Sequence, residues 1–186
     1  MDKVILQGGT ALLDAFKILK RIEIKEAYVV ADLGCGGGGH FVAPLAKMVG
    51  INGKVYALDV QKRVIEAVES KMKFQKILNV ETVWSNLEVY GAAKIPNESC
   101  DVVVIVNVLF QNTQHSTIIN EATRMLRPGG RLAVIDWMSL SSPFGPPLNL
   151  RISPERLKSI VFNSGLRLFD EFDAGSYHYV EVFRKE

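Results

Sequence analysis

The run Asp32-Leu33-Gly34-Cys35-Gly36-Gly37-Gly38-Gly39 follows the apolar stretch Tyr28 to Leu33 and leads into Phe41, Leu45 and Met48 at helical spacing. Glycines let a chain turn sharply and bring its backbone against a ligand, and the first turn of a helix offers N–H groups that have no intrahelical partner. A ligand with negative or hydrogen-bond-accepting groups suits this place. The next apolar stretch, Lys54 to Leu58, ends on Asp59. A carboxylate there can accept hydrogen bonds from both hydroxyls of a ribose. The turn and the aspartate together describe a nucleotide site at the carboxyl ends of two consecutive strands.

The elements that must position these residues read as an α/β fold. Apolar, β-branched runs alternate with amphipathic segments, the pattern of a Rossmann-like, doubly wound sheet with helices on both faces. Seven strands are predicted: Tyr28 to Leu33, Lys54 to Asp59, Val80 to Trp84, Asp101 to Val106, Arg131 to Asp136, Leu166 to Phe172 and Tyr177 to Arg184. The first five are expected to be parallel. Helical faces are marked by Val64, Ile65, Val68 and Met72, then Ile118, Ala122 and Met125, then Leu157, Ile160, Val161 and Ser164. Ser153 before Pro154 and Glu155 starts the last helix, and Gly165 suits the left-handed residue after its end. Only Asp173, Ala174, Gly175 and Ser176 separate the last two strands, too few for a crossover, so these strands form an antiparallel hairpin. The sheet is therefore mostly parallel with an antiparallel last strand. A covering helix is expected within residues 1–26, with Leu12, Phe16, Leu19 and Ile22 inward and Lys17, Lys20 and Arg21 outward.

A chain of 186 residues with 48% apolar residues fits one domain spanning 1–186, with enough core to need no disulfide. The formal charge of +2 gives no basic footprint for nucleic acid. Asp2, Lys3, Asp14, Lys17 and Lys20 interrupt the early apolar runs, so no secretory segment or membrane span can be drawn, and a cytoplasmic protein is expected. Cys35 and Cys100 lack metal-ligand spacing and read as reduced thiols, so no metal is expected.

Beyond the turn, the sequence resembles the class I S-adenosylmethionine-dependent methyltransferases. Their first motif, [DE]-x-G-x-G-x-G, is met by Asp32, Gly34, Gly36 and Gly38. Further matches are Asp59 after the second strand, Ser85-Asn86-Leu87 after the third, Asp101 to Asn107 as the fourth, and Leu126-Arg127-Pro128-Gly129-Gly130 before the fifth. The resemblance covers residues 26–136 in detail and is closest to the small ubiquinone-biosynthesis and arsenite methyltransferase-like group. It implies S-adenosylmethionine as cofactor, with Asp32 and the glycines toward its methionine part, Asp59 at the ribose, and Asn86 with Leu87 at the adenine. Cys35, His40, Val60 and Asn107 complete the expected cofactor contacts. The family often has aspartate where Asn86 stands, but an amide oxygen also accepts a hydrogen bond from the adenine amino group.

Gly34 to Gly39 also satisfies the dinucleotide fingerprint G-x-G-x-x-G. Tyr90-Gly91-Ala92-Ala93-Lys94 even matches a dehydrogenase Tyr-x-x-x-Lys, yet Gly91 and Pro96 mark an irregular segment after the third strand and not the later helix such enzymes use. A non-catalytic S-adenosylmethionine-binding regulator or assembly protein, and an RNA or protein methyltransferase, are the alternatives. The fourth strand runs into Asn107-Val108-Leu109-Phe110 and lacks the Asp/Asn-Pro-Pro-Tyr motif of enzymes that methylate exocyclic nucleobase amines. No cysteine follows the fourth or fifth strand, which disfavours a covalent cytosine-C5 mechanism.

His40, His115, Tyr177 and His178 are expected at the rim where ligands collect. His178, His115 and Tyr177 are the candidate catalytic residues, a histidine serving as base if the acceptor must lose a proton. The apolar loop Trp137 to Leu148, with the stretch to Ile152, is expected to form a lid over residues 137–152. A small, apolar or aromatic acceptor follows, with nucleic acid not expected as partner. The sequence admits a monomer or a homodimer.

Overall fold

The computed structural model describes residues 9–186. Seven strands form one sheet in the order β3-β2-β1-β4-β5-β7-β6, with β1 Val29–Leu33, β2 Lys54–Asp59, β3 Val80–Trp84, β4 Cys100–Val106, β5 Leu126–Trp137, β6 Leu166–Asp173 and β7 His178–Lys185. Strands β1 to β5 are parallel neighbours, and β7 runs antiparallel to both β5 and β6. The expected hairpin is present, with β7 inserted between its partner and the parallel sheet. Strand β5 is longer than predicted. Leu126 already pairs with Cys100, and the Arg-Pro-Gly-Gly stretch is taken up as an irregularity before Arg131 resumes regular pairing with Val102.

The helices are α1 Ala15–Arg21, α2 Val42–Val49, α3 Lys62–Phe74, α4 His115–Met125 and α5 Pro154–Asn163. Strand β4 shows how they cover the sheet: Val102, Val104 and Val106 join the layer under α1 to α3, while Val103 and Ile105 join the layer under α4 and α5. Both parities are buried, so this strand reads as a continuous apolar run. Ser153 caps α5 by accepting a hydrogen bond from Arg156 N through Oγ at 3.2 Å, and Gly165 adopts φ 84° just beyond the helix. Among the described residues no helix is long and apolar enough to cross a membrane. Cys35 and Cys100 are both buried and free.

Part of the expected 1–26 covering helix, residues 1–8, lies outside the described residues. Gly9–Leu12 forms a short 3-10 turn, and α1 starts where the Asp14 side chain accepts from Lys17 N at 3.1 Å. The buried face differs from the expected one. Ala15, Ile18, Leu19 and Ile22 pack inward, whereas Leu12 and Phe16 are 45% and 51% exposed. Because the helix begins only at Ala15, its inward stripe is centred on Ala15 and Leu19, and Phe16 lies about 100° round the axis from Ala15.

Candidate functional site

Two clefts adjoin at the carboxyl ends of β1, β2 and β4, sharing Gly34, Gly36, Gly37 and Gln111. One, of about 510 Å³, is lined by Asp32, the turn Gly34 to His40, and Asn107. The other, of about 460 Å³, is lined by Asp59, Val60, Asn86 and Leu87. All eleven residues expected at the cofactor border one or the other.

The glycine turn is tied down from below. Gly34 N and Cys35 N both donate to Leu58 O at 2.9 Å, and Gly36 N donates to Asp59 Oδ2 at 3.3 Å. Asp59 Oδ1 accepts from Gln61 N at 2.9 Å. Each oxygen of this buried carboxylate thus keeps a further lone pair, enough for a diol. Gly34 has φ +80°, and a Cβ there would stand 2.4 Å from Val108 Cγ2. Only glycine lets the turn after β4 press this closely on the turn after β1.

That second turn was visible in the sequence only as the end of β4. Asn107 adopts a left-handed φ of 54° and donates its backbone N–H to Ile135 O at 2.9 Å. Leu109–Gln111 then forms a 3-10 turn whose first N–H, Leu109 N, reaches Asp136 Oδ2 at 3.2 Å, while Asp136 Oδ1 accepts from Trp137 N at 2.8 Å. Asp136 is fully buried, and burial pushes its carboxyl up to about 7 against these hydrogen bonds. Gln111, which borders both clefts, and Asp136, which holds the turn that carries it, are candidate positions missed from sequence. Asp136 sits at the end of a parallel strand, which is a usable signal, whereas Gln111 carries none.

Two side chains of the larger lobe lack partners among the described residues. Both oxygens of Asp32 and both amide atoms of Asn107 are buried with no hydrogen-bond partner among the described residues. Burial, with Asp59 nearby, pushes the Asp32 carboxyl up to about 7. A ligand that supplies hydrogen-bond partners to such groups gains their unmet bonding capacity. The ammonium and carboxylate of an amino acid supply the donors Asp32 lacks and the acceptors the Asn107 amide lacks, and the Asp59 lobe suits the ribose. The residues therefore fit S-adenosylmethionine. Asn86 is exposed and its Oδ1 already accepts from Glu88 N at 3.0 Å, while Leu87 is buried and Val60 exposed along the same lobe.

The expected rim residues separate. His40 borders the larger lobe, and its Nε2 donates to Leu13 O at 2.8 Å. His115 Nε2 donates to Leu109 O at 2.9 Å, which leaves the neutral ring's lone pair on Nδ1. His115 borders a third cleft beyond Gln111 and Asn112. His178, expected on the rim, is 0% exposed. Its ring lies 4.1 Å from that of Trp137, neither nitrogen has a partner among the described residues, and burial with nearby Arg151 lowers its pKa to about 4. The first residue of β7 stands opposite Trp137, the last of β5, and both are covered. Tyr177 packs edge-on against Phe144 at 5.4 Å and borders neither cofactor lobe.

The 137–152 stretch is organised by one side chain. The Arg151 guanidinium donates to the carbonyls of Met138, Leu140, Phe144 and Pro146 at 2.8 to 2.9 Å and to Ser142 Oγ at 3.2 Å. Gly145 packs on the Trp137 ring, where a Cβ would lie 2.6 Å from Cε3. Leu140, Phe144, Leu148 and Leu150 are left exposed. The irregular segment after β3 is held separately: Gly91 N and Ala93 N both donate to the buried Glu121, so Tyr90 and Lys94 are on no helix.

Comparison with known proteins agrees with this geometry. The family model for the methyltransferase domain matches residues 30–130. The chain is 30% identical to the ubiquinone/menaquinone biosynthesis C-methyltransferase UbiE of Escherichia fergusonii over 84% of its own length and 59% of that protein. It thus spans about three-fifths of the length of this curated relative. A crystal structure of a SAM-dependent methyltransferase from Aquifex aeolicus superimposes with a TM-score of 0.87 at 27% identity, covering 97% of this chain and 94% of that one. An arsenic(III) S-adenosylmethionine methyltransferase from Chlamydomonas reinhardtii shares the fold, with a TM-score of 0.70 at 21% identity over 87% of this chain and 64% of that one. The family match covers nearly all of β1, all of β2 to β4 and the start of β5, and so most of the lining of both lobes: the chain belongs to the methyltransferase-domain family that uses S-adenosylmethionine.

Proposed function

We propose that this chain is an active methyltransferase that moves a methyl group from S-adenosylmethionine to a small, largely apolar or aromatic acceptor. The observation that carries the reading is continuity. The lobes bordered by Asp32, Asn107 and Asp59 meet a third cleft at Gln111 and Asn112, so a bound cofactor and a second ligand share one wall. The likeness to UbiE, a C-methyltransferase of ubiquinone and menaquinone biosynthesis, supports a ring carbon as the accepting atom.

When bound, S-adenosylmethionine supplies a methyl group on a sulfonium, open to in-line attack by a neutral nucleophile. The chain's own contribution is placement, which can provide most of the rate. Asp32 and Asn107 would hold the amino-acid end and Asp59 the ribose, while the turn after β4, fixed by Asp136 below and Val108 on Gly34, holds Gln111 between the two ligands. The 137–152 stretch acts as a lid, with Arg151 keeping its apolar side chains together and water out. His115, with its lone pair on Nδ1, is the base for an acceptor that must lose a proton. His178 and Tyr177 support the lid from beneath and beside it.

A transfer assay with radiolabelled cofactor, offering RNA, protein extract and a panel of quinols, phenols and thiols, tests this. Label in a small molecule is expected. For a hydroxyl or thiol acceptor, His115→Ala should lose turnover with cofactor affinity retained. Labelling of RNA alone would refute the acceptor assignment, and cofactor binding without transfer to anything would favour a regulatory protein.

A further inference from the structure

The third cleft, about 810 Å³, lies between the turn after β4, the start of α4 and the 146–156 stretch. Phe110, Pro146, Leu150 and Ile152 give it apolar walls. Its two charged lining residues are both arginines, Arg151 and Arg156, and among the described residues no Asp or Glu lines it. The five acceptors that hold Arg151 are carbonyls and a hydroxyl, so they orient the guanidinium without neutralising it. Asp136 acts on Arg151 without an ion pair, through a carboxyl that burial has pushed up to about 7. Arg156, in the first turn of α5, forms no ion pair among the described residues. Its neighbour Glu155 is held by its own N–H and by the Ser153 hydroxyl.

Two cations of like sign beside an apolar wall, with no carboxylate between them, favour a ligand that brings the anion. An arginine fork matches the planar oxygens of a carboxylate or the face of a phosphate. We infer that the acceptor handled by this site is an amphipathic acid: an apolar or aromatic body seated on Phe110 and Leu150, carrying a carboxylate or phosphate that Arg156 binds. This rests on the proposed methyltransferase reading, and it adds the charge of the substrate.

The test uses the full chain saturated with S-adenosylhomocysteine, so that the cofactor lobes are filled. Benzoate, phenyl phosphate and neutral benzyl alcohol are titrated in turn while the His115 ring signals are followed by NMR. At least one anion should shift His115 and bind about tenfold or more tighter than the alcohol, as a charge-assisted pair gives. Which anion binds better identifies the group. Arg156→Gln, an exposed change that leaves the core untouched, should bring anion and alcohol to equal affinity with S-adenosylhomocysteine affinity unchanged. Equal binding of anions and alcohol in the wild type, or an anion preference that survives in Arg156→Gln, would overturn the inference. Absence of S-adenosylhomocysteine binding would overturn the cofactor reading and this inference with it, and is seen before any anion is added.

Discussion

Asp32 makes cofactor binding a test of pH dependence. This carboxyl is buried with no hydrogen-bond partner among the described residues, and burial first, then the charge of Asp59, pushes it up to about 7. An ammonium group is held well only by the ionised form. The apparent dissociation constant should then scale as one plus the ratio of protonated to ionised Asp32. With a free-state pKa of about 7, that factor is about 1.1 at pH 8 and about 11 at pH 6, a tenfold weakening worth about 1.4 kcal/mol. Calorimetric titration of S-adenosylhomocysteine at pH 6, 7 and 8, in two buffers of different ionisation heat, measures both the slope and the released proton. About one proton should leave on binding at pH 6 and almost none at pH 8. Asp32→Asn removes the titrating group, so its binding should be flat with pH and weaker at pH 8 by roughly 1.5 to 3 kcal/mol. A flat profile in the wild type, or an unchanged slope in Asp32→Asn, would refute the assignment of this carboxyl to the ligand ammonium.

The same chemistry acts on stability without ligand. Asp32, Asp136 and Glu181 are each pushed up to about 7, chiefly by burial, so the folded chain keeps protons that the unfolded chain has already released. Stability is then highest below the unfolded carboxylate pKa of about 4 on this account and falls as pH rises to about 7, a trend that urea midpoints should show and Asp32→Asn should reduce. Asp59→Ala removes a carboxylate that also holds the Gly36 and Gln61 amides, and calorimetry should find cofactor binding weaker by roughly 1.5 to 3 kcal/mol. Gly34→Ala meets both a left-handed φ, costing about 1 to 2 kcal/mol, and Val108. Its melting temperature should drop, and adding Val108→Ala should recover the steric part alone. Arg151→Met removes the bonds that gather the 138–146 carbonyls, and limited proteolysis should cut that stretch faster while the melting temperature of the sheet changes little.

The cofactor half of the site was legible because its signals are local. A glycine run after a buried strand, an acidic residue at the end of the next strand, and Asn86-Leu87 after the third each occupy one strand end, and in a parallel sheet all strand ends of that kind share one edge. The acceptor half was less legible. Away from the site, the helical period carried back to Leu12 turns Phe16 inward, whereas the helix starts at Ala15 after the Asp14 cap. In the acceptor half, a β7 that starts at the ligand edge points His178 to the rim, and β7 does start there. The depth of its side chain depends on Trp137 across the β5 pairing and on the loop folded over it, contacts separated by some forty residues.

By itself the sequence determined the seven strands, the helices between them, the terminal hairpin and the cofactor turn, since periodicity, caps and loop lengths act within a few residues of where they are read. Only the tertiary structure decided the order β3-β2-β1-β4-β5-β7-β6 and the place of β7 between β5 and β6. It also decided that Gln111 stands between two clefts and that Arg151 gathers the loop ahead of it. Strands buried on both faces lose the alternation that would tell which way a polar side chain turns, and β7 is buried from His178 through Phe183. Which neighbour such a strand selects, and what it covers, is settled by pairing and packing between distant segments, where sequence spacing carries no mark.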